Sequence, residues 1–315
     1  MQPNLAYAII HRMHPHADVG VADVACCLVP SVRYGMPMSS TPITPQDLLY
    51  LQIILDRIAV CASYQPRFGQ AQAGITLADF RTLYGADHFY TWFGLDTPRV
   101  YAAHRAAGGI TSIYRQIGIG SELLLRQIIR DQLGLTATQA QWAYTITTNT
   151  GTSRTLKLDA RITLVDIQDG SRRQTVAAWL QHVSQTLGLE PTIATAMQGV
   201  AIEIRQGYKS KDAKRQHADV ANAATAYTQG YIPVLLLLSN QFDTGVIERY
   251  TRARWHILRG SFDQDTSIST YTFFREIIGY DLAAFFHRVS PQLQQTMTHV
   301  LSSLLGVPDE HEATP

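Results

Sequence analysis

The chain has 315 residues, 46% hydrophobic and 16% charged, with a formal net charge of +1. That content excludes a disordered polar chain and suffices for one large core or two modest ones, while the charge balance by itself announces no nucleic-acid partner. Three cysteines, two of them adjacent (Cys26, Cys27 and Cys61), exclude a disulfide framework and a paired-cysteine zinc site. The longest apolar run, residues 232–238, is far short of a membrane span. The first residues lack the pattern of a signal peptide, so a soluble protein of a reducing cytoplasm is expected.

Residues 1–45 carry prolines at 3, 15, 30, 37, 42 and 45 and read as a loose arm. His11, His14 and His16 in this arm have no partner cysteine and make a poor metal site. Helical spacing of Leu48, Leu49, Leu51, Ile53, Ile54, Ile58 and Val60 predicts a helix over 46–65, and Thr76 is suited to cap another. Residues 85–100 are aromatic-rich and read as loop, and the glycines of 109–120 as a turn. A helix is predicted over 121–133, opened by Ser121. Alternation then predicts strands over 142–148 and 155–165, joined by the turn signal Asn149-Thr150-Gly151. Next come a helix over 173–187, a strand over 200–205, a helix over 212–228, and strands at 232–238 and 255–258. Helices over 270–286 and 290–305 close the chain. The expected class is α/β: a mixed sheet core flanked by helices, with a mainly helical region over 1–108 and the core with its C-terminal helices over 109–315.

Two strand segments carry the chemistry. Period-two alternation puts Leu156, Leu158, Ala160 and Ile162 on one face of the 155–165 strand, and Lys157, Asp159 and Arg161 on the other. In the 200–205 strand, Val200, Ile202 and Ile204 share one face, and Ala201, Glu203 and Arg205 the other. Two carboxylates on neighbouring strands can hold Mg²⁺ through oxygen while leaving positions for water and phosphate. A basic residue beside them can stabilise the charge of a phosphoryl transition state. Three of the four lysines, Lys209, Lys211 and Lys214, follow directly.

These elements resemble the PD-(D/E)XK nuclease superfamily. The likeness rests on Leu158-Asp159, on Glu203-Ile204-Arg205, on the basic stretch that follows, and on the apolar strand from Ile232; it covers about residues 115–260. Two departures stand out: Leu158 precedes Asp159 where a proline is usual, and Arg205 occupies the lysine position. The resemblance implies a restriction-endonuclease-like core with Mg²⁺ held by Asp159, Glu203 and the Ile204 carbonyl. It also implies catalytic roles for Asp159, Glu203 and Arg205 or Lys209, with Glu122 on the first core helix in support.

Lys209, Lys211, Lys214 and Arg215 would neutralise DNA phosphates beside the site. Arg252 and Arg254, with Tyr250 and Trp255, suggest a second basic and aromatic patch. The function expected is that of a type II restriction endonuclease: a homodimer hydrolysing double-stranded DNA at a short, palindromic site. A repair or resolvase nuclease on the same core, or a DNA-binding protein with a weakened site, are the alternatives. No phosphate-binding loop or G-x-S-x-G elbow is present.

Overall fold

The structure, a computed structural model, describes residues 42–68, 73–147, 153–207 and 222–306. The histidine-bearing arm, the turn at 149–151 and Lys209, Lys211, Lys214 and Arg215 lie outside these. Helix α1 (Pro45–Ala59) begins at a capping box: Thr44 Oγ1 accepts from Asp47 N, and Asp47 Oδ2 accepts from Thr44 N. Helices α2 (Leu77–Gly85) and α3 (His88–Trp92) follow, so the stretch expected as loop holds a short helix capped by Asp87.

Helix α4 (Pro98–Leu133) runs for 36 residues from a Thr97 cap to Gly134, whose φ of 66° ends it. Ser121 is therefore interior and caps nothing, and residues 109–120 are helix, not turn. The expected boundary between 108 and 109 falls within this helix, and Thr41–Pro315 makes one compact unit. The glycines that suggested a turn serve close packing. A Cβ at Gly109 would lie 2.6 Å from a Leu304 methyl, and one at Gly120 would lie 3.5 Å from the Ile54 backbone. Tertiary contact outweighs the loss of about 1 kcal/mol of helix propensity per glycine.

The hairpin β1 (Trp142–Thr147) and β2 (Ser153–Leu158) is antiparallel, pairing Ala143 with Lys157 and Trp142 with Leu158. The strand expected over 155–165 is in fact two. The chain bends at Asp159 and continues as β3 (Ala160–Thr163) in a different sheet. That sheet has the order β3-β4-β5-β6, where β4 is Gly199–Arg205, β5 Tyr231–Leu237 and β6 His256–Leu258. β3 is antiparallel to β4, and the other pairs are parallel, giving a mixed sheet. Helices α5 (Gly170–Thr186) and α6 (Pro191–Ala196) connect β3 to β4. Residues 222–228, helix α7, precede β5, and α8 (Thr244–Arg252) precedes β6.

Every residue of β4 and β5 is buried, as expected of parallel strands covered on both faces. Val200, Ile202 and Ile204 join Leu124, Ile128, Trp179 and Phe273 on one side. Ala201, Leu235 and Leu237 join Trp142, Ala223, Val246 and Trp255 on the other. Leu158 belongs to this second cluster while Ala160 and Ile162 belong to the first, because the bend at Asp159 reverses the alternation. The C-terminal helices also break elsewhere than expected. A single turn, α9 (Thr270–Thr272), continues as the π-helical Phe273–Ile278, ends at Gly279 with φ 94°, and gives way to α10 (Leu282–Leu305), which contains Pro291. No helix among the described residues is long and apolar enough to cross a membrane.

Asp47 fastens the two ends of the helical layer. Its carboxylate is 1% exposed and accepts from Arg288 Nε at 2.9 Å and Nη2 at 2.8 Å, and from Tyr280 Oη at 2.7 Å. Burial alone would raise its pKa, but the bonds from Arg288, Thr44 and Tyr280 win and hold it well below the ordinary carboxylate range. A depressed folded-state pKa contributes stability that is present above pH about 4 and is lost as pH falls through the folded value. Asp47→Asn is therefore expected to destabilise by about 3 kcal/mol at pH 7, read as a lower urea midpoint, with the gap to wild type narrowing in strong acid. An equal midpoint at pH 7 would remove Asp47 from this role.

Candidate active site

Three elements bring four charged side chains to one place. The bend between β2 and β3 carries Asp159, the C-terminal end of β4 carries Glu203 and Arg205, and the interior of α4 carries Glu122. Continuing the β3–β4 register one step beyond Ala160 and Ile202 sets Asp159 opposite Glu203. Asp159 N donates to Ile202 O at 2.9 Å, so the carboxylate sits on a fixed backbone. Residue 158 would face Ile204 next, but Leu158 has left for the hairpin. Asp159 Oδ2 instead accepts from Ile204 N at 2.8 Å, supplying the acceptor that the strand would otherwise lack.

All these groups converge on the Arg205 guanidinium. Nη2 pairs with Glu203 Oε1, and Nη1 lies 3.4 Å from Asp159 Oδ2 and 3.7 Å from Glu122 Oε1. Nη1 also donates to the Ile204 carbonyl at 2.9 Å. Glu203 is 4% exposed and Arg205 9%, so their charges are largely removed from water and depend on one another. Every oxygen that the sequence nominated for Mg²⁺ thus faces one guanidinium. The donor set is oxygen only, which suits a hard divalent cation such as Mg²⁺. As they stand, spread around Arg205, these side chains do not form a group that holds a metal, and no such group occurs among the described residues.

A cleft of about 670 Å³ adjoins the strand ends, lined by Tyr114, Ser121, Gln206, Ser239, Gln241 and Tyr271 among others. Gln206 Nε2 donates to Tyr114 O at 2.9 Å and ties the end of β4 to α4.

Arg126 was not among the expected site residues. Its Nη1 donates to the Asp159 carbonyl at 2.8 Å, so α4 holds the backbone of Asp159 as well as facing Arg205 through Glu122. The signal was its place four residues after Glu122, within the helix already expected over 121–133, and it was not used.

The second basic patch is not brought to this site. Arg252 is exposed and lies 3.6 Å from Glu248 on its own helix. Arg254, at φ 59°, accepts from Tyr227 Oη through its carbonyl. Both precede β6, two strands from β4 and toward the opposite end of the parallel strands. Tyr250 and Trp255 are core residues, their rings edge to face at 5.4 Å.

No protein-family model matches the chain, and neither does any curated protein or solved structure.

The geometry makes Arg205 and Glu203 energetically dependent. Arg205→Met should destabilise by about 3–5 kcal/mol, because it strands the buried Glu203 carboxylate. Adding Glu203→Gln should restore about 1–3 kcal/mol relative to the sum of the single changes. Urea unfolding of the two single variants and the double variant measures this coupling; strict additivity would show that the pair is not coupled.

Proposed function

We propose that the chain is a Mg²⁺-dependent endonuclease of the PD-(D/E)XK kind, hydrolysing phosphodiester bonds in double-stranded DNA. In this reading two copies act together on a short, palindromic site, because a two-fold protein suits a two-fold target. The observation that carries it is the convergence of Asp159, Glu203, Glu122 and Arg205 at adjoining strand ends, next to a cleft lined by their chain neighbours Ser121 and Gln206.

Asp159, Glu203 and the Ile204 carbonyl would hold the metal, with Glu122 in support. Bound Mg²⁺ would polarise the phosphoryl group and make water more acidic. Arg205 keeps its proton at any working pH and so cannot serve as a base. Its planar fork is suited to clamp two oxygens of the scissile phosphate and to stabilise charge developing there. To do this it turns away from the carboxylates it pairs with in this structure. Arg126 keeps Asp159 in place by holding its carbonyl.

The seat of Arg205 among the carboxylates also favours a second reading: a DNA-binding protein whose acidic cluster is neutralised by its own cation. Cleavage of supercoiled plasmid at varied Mg²⁺, paired with gel-shift binding in Ca²⁺, separates the two. Asp159→Ala and Glu203→Ala should each abolish cleavage while leaving DNA binding measurable, since phosphate contacts elsewhere persist. Robust Mg²⁺-dependent cleavage by Glu203→Ala would end the nuclease assignment at this site. Wild-type binding without cleavage at any metal concentration would select the second reading.

A further inference from the structure

A second cleft, of about 550 Å³, lies between α4 and the β1–β2 hairpin. It takes one face of α4, where Leu123, Arg126, Gln127 and Arg130 recur at helical spacing, and the facing ends of the two hairpin strands, Gln141 to Ala143 and Lys157 to Leu158. Three of the residues lining it are cations, Arg126, Arg130 and Lys157, and none is a carboxylate. Among the described residues, none of the three forms an ion pair. Arg126 and Arg130 are instead held through neutral acceptors: the Asp159 carbonyl at 2.8 Å and Gln127 Oε1 at 2.9 Å.

Two donors in this wall have no protein acceptor. Trp142 is 2% exposed, and its Nε1 has no hydrogen-bond partner; the same holds for the buried Nε of Arg130. A buried N–H left unsatisfied costs about 1–3 kcal/mol, and such groups in a native fold call for an explanation. Three cations without a carboxylate are the complement of an acceptor-only anion.

We propose that this cleft binds a phosphate group, which neutralises Arg126, Arg130 and Lys157 beside the buried Trp142 indole. Lys157 and Leu158 directly precede Asp159, so the cleft adjoins the acidic cluster along the chain. The phosphate is that of a DNA backbone segment next to the reacting one; this source rests on the nuclease reading, whereas the anion site does not.

The test follows the Trp142 indole N–H by NMR in full-length protein labelled with ¹⁵N-tryptophan, the resonance being identified with Trp142→Phe. EDTA is present throughout, so no cleavage occurs. The protein is titrated separately with inorganic phosphate, with a deoxynucleoside 5′-monophosphate, and with a short unphosphorylated DNA duplex. The duplex should shift the Trp142 resonance to saturation. Replacing Arg130 and Lys157 together by glutamine should weaken this response at least roughly tenfold, since hydrogen bonds to charged groups are the stronger kind. The salt dependence of duplex binding should fall by about two units of slope. A response to the free phosphates that exceeds the response to duplex would keep the anion site and overturn its assignment to DNA backbone. A Trp142 resonance unmoved by all three probes would overturn the proposal, as would a response undiminished in the double variant. Because the readout needs no cleavage, an inactive acidic cluster and a failed anion site give different results.

Discussion

One guanidinium must balance three carboxylates at the end of β4. Glu203 and Arg205 are almost fully buried, and the half-buried Asp159 and Glu122 lie close enough to the same guanidinium for mutual repulsion to matter if the cation were absent. Crowding like charges around a buried carboxylate is expensive, and it persists only with a cation and fixed hydrogen bonds. Much of the surrounding architecture serves that arrangement. The bend at Asp159 frees its carboxylate to accept from Ile204 N, and the helical interior of α4 brings Glu122 to the strand end. Glu203 and Arg205 share a face because they stand two apart on β4.

Helix α4 links this cluster to its surroundings. Glu122, Arg126 and Arg130 follow one another at intervals of four and so form one stripe. The acidic end meets Arg205, the middle holds the Asp159 backbone, and the basic end borders the cleft under the hairpin. An oxygen-rich cluster beside a cation-lined cleft is the charge pattern that a phosphodiester needs: acceptors to hold a cation at the reacting group, and donors to hold its neighbour. Glycines in the same helix let α1 and α10 pack closely, so the stripe is carried on a helix fastened along its length.

Much of this was legible in the sequence. The alternation of β4, the buried run of β5 and the pairing of β1 with β2 all follow from sequence pattern, and Asp159, Glu203, Arg205 and Glu122 do come together. What pattern could not show was set by tertiary contact. Gly109 and Gly120 read as a turn because their reason, the approach of Leu304 and Ile54, lies far away in sequence. The strand over 155–165 looked continuous because the period of two survives in composition even where the backbone bends and its two halves join different sheets. Arg126 stood in a helix that the sequence did predict, but its contact with the Asp159 carbonyl is a tertiary one that spacing alone does not name. The patch of Arg252 and Arg254 was suggested by proximity in sequence, yet its aromatic members are core and its arginines lie away from the acidic cluster.

Whether the Arg205 cluster is a hydrolytic site is settled most directly by Mg²⁺-titrated cleavage of supercoiled plasmid by wild type beside Arg205→Ala and Arg205→Lys. The account predicts discrete fragments from wild type, partial activity from Arg205→Lys, and a loss on the order of 100-fold from Arg205→Ala, the scale of removing one preorganised transition-state donor. Intact plasmid with wild type at every Mg²⁺ concentration, or undiminished cleavage by Arg205→Ala, would contradict it.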